Sequence, residues 1–238
     1  MDRSASRCVL LFARTPLQEE RVKGLRGGAR LFALAKSRLS AALESIPDVS
    51  VVIAGEPEDG FFAGATAVAQ RGRTFGERFE NAFEDARALG FTHIVAVPID
   101  VPSLGAEQIV TSFEKLAAND VVLGPSPDGG VYLIGVRGDT RSLFRGVPWQ
   151  TARVFLALLR NAGEAVVLAS LLDVDRLADL EALASDPSID IDPELKALVE
   201  GLLRLRLGDF PLCDGSRLRS RPTSPCGSRA PPVLLLSF

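Results

Sequence analysis

The stretch HIVAVPIDVPSL, from His93 to Leu104, decides the fold. His93–Pro98 is a short apolar run rich in β-branched residues and closed by proline, which reads as a strand buried on both faces. Asp100 follows it directly. In open parallel sheets ligands bind outside the carboxyl ends of the strands, so a carboxylate there lies in the expected crevice. A hard divalent cation takes one or two carboxylates and fills its other positions with water and phosphate oxygens. The competing reading of Asp100 is a turn or helix-cap aspartate ahead of Pro102 and Ser103.

Working outward, Cys8–Ala13, Val49–Ala54 and Asp120–Gly124 are runs of the same kind, and Leu31–Leu43, Phe75–Leu89 and Ala106–Leu116 between them have helical spacing. Alternation of this type implies crossover connections, hence an α/β fold with a mostly parallel central sheet flanked by helices on both faces. Thr74 with Glu77 forms a capping-box signal before Phe75, and Ser103 precedes Glu107 near the next helix start. Beyond Gly130 the pattern is less regular: a strand over Val131–Val136, a helix over Thr151–Arg160, a strand over Ala165–Leu168, then helices over Leu177–Ala184 and Pro193–Leu205. We expect one catalytic domain over residues 1–208. Residues 209–238 are rich in Pro, Ser and Arg and read as a disordered tail, because they bury too little apolar surface to offset ordering entropy.

At 238 residues, 47% of them apolar, the chain carries enough hydrophobic material for a large single core. A net charge of −3 gives no general attraction to nucleic acid or anionic lipid, so any anion site must be local. The cysteines Cys8, Cys213 and Cys226 are odd in number and lack C-x-x-C spacing, which suggests neither a disulfide framework nor a zinc site. No signal peptide or membrane span is visible, and the expected location is the cytoplasm. No G-x-G-x-x-G follows the first strand, which argues against a dinucleotide-binding dehydrogenase.

Three further elements carry chemistry. In Gly124–Gly130 (GPSPDGG), two glycines after Asp128 permit positive φ and close backbone approach to a ligand, although D-G-G is also a common hairpin turn. After the first strand, Arg14, Arg21 and Lys23 form a basic loop placed to neutralise a di- or triphosphate, the alternative being a solvated surface. Trp149 offers either a stacking face for a sugar or base or an apolar packing surface. The segment Ala35-Lys36-Ser37-Arg38-Leu39 lies inside a helix and reads as its exposed face, and His93 reads as a strand-edge residue.

In this order the runs LLFARTPLQEERVKGL, GERFENAF, VPIDVPSL, DVVLGPSPDGGVYLIGV, FRGVPW and LLDVDRLADLEAL resemble the DUF2064 family of GT-A glycosyltransferases, related to molybdenum-cofactor-type nucleotidyltransferases. The resemblance spans roughly residues 8 to 184 and implies a Rossmann-like GT-A sheet, a nucleotide-activated donor and Mg²⁺ or Mn²⁺. By position Lys23 matches the family's loop lysine, Asp100 its D-x-P aspartate, Asp128-Gly129-Gly130 its D-G-G, Trp149 its late tryptophan, and Asp173 and Asp175 its D-V-D. The glycine that precedes Val-Lys in the family is replaced by Glu20-Arg21, and Thr-Arg-Leu after the lysine reads Gly24-Leu25-Arg26.

The resulting expectation is a metal-dependent transferase. Asp100 and Asp175 serve as metal ligands and Asp128 and Lys23 as catalytic residues, while Arg14, Arg21, Gly129, Gly130 and Trp149 contact substrate. Transfer of a glycosyl group from a nucleotide sugar to an unspecified acceptor is the leading reaction. Nucleotidyl transfer with release of pyrophosphate is the alternative, and a non-catalytic nucleotide-sugar-binding protein is the second.

Overall fold

The computed structural model describes residues 6–55, 62, 64–189 and 191–208. The proposed tail, with Cys213 and Cys226, lies outside the described residues. Seven strands form one sheet in the order β3-β2-β1-β4-β6-β5-β7. They are β1 (Arg7–Phe12), β2 (Val49–Ala54), β3 (Thr66–Val68), β4 (His93–Val97), β5 (Val121–Pro125), β6 (Val131–Arg137) and β7 (Val166–Val167). All pairings are parallel except those of β6, which runs antiparallel to both β4 and β5. The segment from Pro125 to Val131 is too short for a crossover, so β5 and β6 close as a hairpin through the D-G-G turn.

Alternate strand residues serve opposite faces. Cys8, Leu10, Phe12, Ile94, Ala96 and Leu123 pack against α3 (Phe75–Ala88), α5 (Arg141–Phe144) and α6 (Val154–Ala162). Val9, Leu11, Val95, Val97 and Val122 pack against α2 (Ala29–Glu44) and α4 (Ala106–Leu116). A third apolar cluster joins Leu31 and Phe32 of α2 to α7 (Leu177–Ser185) and α8 (Pro193–Gly208), and it encloses Val174. Arg38 in α2 also ties that layer together by pairing with Asp192 and with Glu194 at 2.9 Å, and Ala35, Lys36 and Leu39 are buried, so the Ala35–Leu39 segment is mainly a packed face of its helix and not the exposed one expected.

The predicted helix starts differ in two places. Thr74 and Glu77 do form a capping box, but α4 starts after Gly105, whose N–H is held by Gln108 Oε1 at 3.0 Å, and Ser103 does not cap it. The basic loop after β1 is a helix, α1 (Pro16–Lys23), with Thr15 and Gln18 in a capping box, Pro16 in the first turn and Gly24 closing it in the left-handed region at φ 64°.

The chain leaves β1 for the β2–β3 side and returns through β4 on the other side of β1. The order therefore reverses between β1 and β4, and their carboxyl ends open the crevice in which such sheets bind ligands. Ala13 and Arg14 follow one strand there, and Ile99 and Asp100 the other.

Candidate active site

Asp100 is 2% exposed at the end of β4. Its carbonyl accepts the N–H of Val174 at 2.9 Å, which stitches the segment after β7 to the crevice. That segment first runs along β5, with Leu168 N–H on Leu123 O and Leu171 N–H on Pro125 O, while Tyr132 donates its hydroxyl to Ala169 O at 3.0 Å. Val174 turns into the helical layer. Carboxylate oxygens of its neighbours Asp173 and Asp175 come within 4.8 Å of each other and of Asp128. Asp179 holds this loop in place by accepting the N–H groups of Asp175 and Arg176, each at 2.9 Å.

The D-G-G turn presents Asp128. Gly129 has φ 92°, and a Cβ there would stand 2.2 Å from Ala152 O. Its close approach is thus to Ala152, and its carbonyl also accepts Phe155 N–H at 3.1 Å. Gly130 leaves room for the Asp128 carboxylate, whose Oδ1 accepts the Gly130 N–H at 2.8 Å.

Lys23 reaches the cluster from α1. Its ammonium donates to Asp100 Oδ2 and to Val174 O at 2.7 Å, and lies 3.0 Å from Asp175 Oδ1 and 3.7 Å from Glu19 Oε2. Phe32 supports it with a ring centroid at 5.1 Å. Arg14 pairs with Glu19 Oε1 at 3.3 Å and lines a cavity of about 370 Å³ with Ala13, Gln18, Gly55, Ala69 and Gln70. A smaller cavity of about 100 Å³ is lined by Pro127, Asp128, Leu172, Asp173, Asp175, Arg176 and Asp179.

Of the residues expected to share a site, Asp100, Asp128, Asp175 and Lys23 converge, and Arg14 joins them through Glu19. Arg21 is exposed in the last turn of α1. Trp149 packs in an aromatic cluster with Phe75, Phe79 and Phe144 at centroid distances of 5.6, 5.1 and 5.5 Å, over Gly76. Its ring is thus a part of the core wall. Glu19 and Asp179 were not anticipated. Glu19 stands four residues before Lys23, a spacing that becomes a signal once Thr15-Pro16 and Gln18 mark a helix.

The cluster holds more negative charge than Lys23 offsets. Burial, then Asp100, Asp175 and Asp128, push the Asp173 carboxyl up to about 8. Burial also raises Asp128 against the pull of the Gly130 N–H, with Asp175 and Asp179 adding to the rise, and it raises Asp100 against the pull of Lys23. For Lys23 burial alone would lower the pKa, but Asp100, Asp175 and Glu19 outweigh it and hold the ammonium charged well above the ordinary lysine range. Asp100 Oδ1 and Asp128 Oδ2 are buried without hydrogen-bond partners. Surplus charge, unpartnered carboxylate oxygens and an all-oxygen donor set fit a hard divalent cation.

These shifts set the pH dependence of the metal-free protein. A carboxyl with a raised folded pKa contributes stability fully below its unfolded value, near 3.8, and loses it as pH rises through the folded value, about 8 for Asp173. The melting temperature in a chelator is therefore expected to fall by several degrees between about pH 5 and 8.5, at about 2–4 °C per kcal/mol for a chain of this size. Millimolar Mn²⁺ should recover most of the loss at the alkaline end. A flat profile by differential scanning calorimetry would rule out the buried cluster as drawn.

Comparison with known proteins bears on the fold. The family described as "Uncharacterized protein conserved in bacteria (DUF2064)" matches residues 40–151. No curated protein matches the chain. Among solved structures, a protein from Desulfovibrio desulfuricans G20 proposed to be a nucleotide-diphospho-sugar transferase is similar with a TM-score of 0.68 and 24% identity. That match covers 85% of this chain and 98% of the other. A cytidylyltransferase from Leptospira borgpetersenii serovar Hardjo-bovis gives a TM-score of 0.49 at 12% identity, covering 91% and 100%. The first likeness establishes a GT-A-like α/β fold with the mostly parallel sheet expected from the sequence. The likeness to the DUF2064 family lies in residues 40–151 of this chain.

Proposed function

We propose that the protein is a transferase that uses a nucleotide-activated donor with Mg²⁺ or Mn²⁺, and that the group it moves is a glycosyl unit from a nucleotide-diphospho-sugar. The observation that carries this reading is the convergence of Asp128, Asp173 and Asp175 at the switch point of the sheet, beside an Arg14-lined cavity. A cavity at the ends of β1 and β2 suits the nucleotide, and the carboxylate cluster lies where its diphosphate would end. Bound by these carboxylates, a divalent cation would supply positive charge against the diphosphate.

The residues divide the remaining work. Arg14, fixed by Glu19, neutralises phosphate charge from the cavity side. Asp128 faces the smaller cavity with its Oδ2 free of hydrogen bonds, and its raised pKa suits a general base. The acceptor hydroxyl oxygen attacks the anomeric carbon, its proton passes to Asp128, and the bond to the diphosphate breaks, so the nucleoside diphosphate leaves with the electron pair. We place this function in residues 1–208. No helix among the described residues is long and apolar enough to cross a membrane.

A thermal-shift screen of nucleoside triphosphates and nucleotide sugars, with and without Mn²⁺, tests the reading. A cognate donor at a hundred times its dissociation constant should stabilise by ~2.7 kcal/mol, about 5–10 °C here. Nucleoside diphosphate among the products supports glycosyl transfer, and pyrophosphate would replace it with nucleotidyl transfer. Absence of any donor-dependent shift would sink both.

A further inference from the structure

Two cation-sized positions lie side by side at the switch point, and the chain itself fills one of them. The Lys23 ammonium is enclosed by oxygen: Asp100 Oδ2, Val174 O at 2.7 Å, Asp175 Oδ1 at 3.0 Å and Glu19 Oε2 at 3.7 Å. Its side chain is 2% exposed. An ammonium is a compact point charge with three donors; here two go to Asp100 and Val174 in hydrogen bonds, and Asp175 Oδ1 stands at ion-pair distance. The adjoining position is bounded by Asp128, Asp173 and Asp175, with Asp175 common to both and Asp100 outside it.

We propose that Lys23 is a built-in second cation of this centre. It is a positioning residue that occupies Asp100 and limits the site to one divalent cation, held by Asp128, Asp173 and Asp175. Asp100 then acts on that cation through its charge and through Lys23, which its second oxygen, buried and without a hydrogen-bond partner, leaves undisturbed. A second divalent ion would have to expel an ammonium whose helix is anchored at both ends, by the Thr15–Gln18 capping box and by the left-handed Gly24. Glu20 adds a further anchor by accepting the Ala29 N–H at 2.9 Å. The inference builds on the cation-dependent reading above but needs no donor to be tested.

The experiment is a Mn²⁺ titration of the full chain, followed by the electron paramagnetic resonance signal of free Mn²⁺. Wild type should bind one equivalent and Lys23→Ala two. Asp173→Asn should lose well over about a hundredfold in Mn²⁺ affinity, whereas Asp100→Asn, acting from outside the ligand set, should lose about 10–100-fold at most. Two equivalents in wild type, one in a folded Lys23→Ala, or equal losses for Asp100→Asn and Asp173→Asn would each overturn the proposal. If Lys23→Ala does not fold, the wild-type stoichiometry and the comparison of the two aspartates still decide. Two wild-type equivalents together with a donor-dependent thermal shift would refute the built-in cation and leave the transferase reading standing.

Discussion

Lys23→Met is expected to destabilise the protein by about 3–5 kcal/mol near pH 8, the range found when one partner of a buried ion pair is removed. Methionine keeps most of the stem and its packing on Phe32, so the lost quantity is charge. It would leave Asp100, Asp175 and Glu19, with side chains 3, 11 and 4% exposed, without their shared cation. Asp100, whose burial already raises its pKa, would then take up a proton more readily, so the deficit should shrink towards about pH 5, where the proton supplies part of what the ammonium gave. Added Mn²⁺ should offset the deficit near pH 8. Urea denaturation at both pH values measures this directly. A change below about 1 kcal/mol at the higher pH would mean that water reaches the carboxylates and that the enclosure of Lys23 is wrong.

The second large effect is on turnover. At Mn²⁺ concentrations that keep the cation site filled, Asp128→Asn should lower kcat by about 10²–10⁴, the contribution of a positioned general base, while donor affinity changes little. The amide keeps an oxygen for the Gly130 N–H, so the D-G-G turn and the Gly129 contact with Ala152 survive. What disappears is the proton acceptor at Oδ2. An interaction needed mainly in the transition state costs kcat more than binding. Single-turnover kinetics with the donor found in the screen, paired with its dissociation constant, checks the split. A variant that loses donor affinity in the same proportion as kcat would move Asp128 from proton transfer to cation binding alone.

Much of this architecture is legible in the sequence because buried strands write themselves as short apolar runs. Val49–Ala54 matches its strand at both ends, and the other runs fall within a residue or two. The reversed direction of β6 also follows from the sequence, through the brevity of the turn at Asp128. Helix α1 escaped because PLQEERVK has no apolar stripe; its stability comes from caps, and Thr15, Pro16 and Gln18 were the marks to read. Strand β3 escaped because three mostly exposed residues at a sheet edge leave no hydrophobic pattern.

The site was legible as a set of residues but not as a set of contacts. Asp100, Asp128 and Asp175 could be picked from their places after strands or beside glycines. The pairing of Lys23 with Asp100 joins positions 77 apart in the chain, which no local pattern encodes. For the same reason a phosphate-facing lysine was expected where the structure encloses the ammonium in carboxylates, and Trp149 was expected near substrate where it joins three phenylalanines. Asp173 was recognised only as half of a D-V-D pair. Its weight comes from alternation about Val174, which places both aspartates by burying the residue between them.

That stitch of Val174 N–H to the Asp100 carbonyl has a consequence for how the protein is made. Synthesis delivers the chain from its amino end. Lys23 and Asp100 appear early, whereas the carbonyl that caps the ammonium and two of the three clustered aspartates arrive only with the segment before α7. Strand β5, whose outer edge that segment follows, is joined to β4 only through β6, which also precedes the segment in the chain. A chain that ends before residue 170 thus carries every strand of the sheet but only one of the three clustered aspartates.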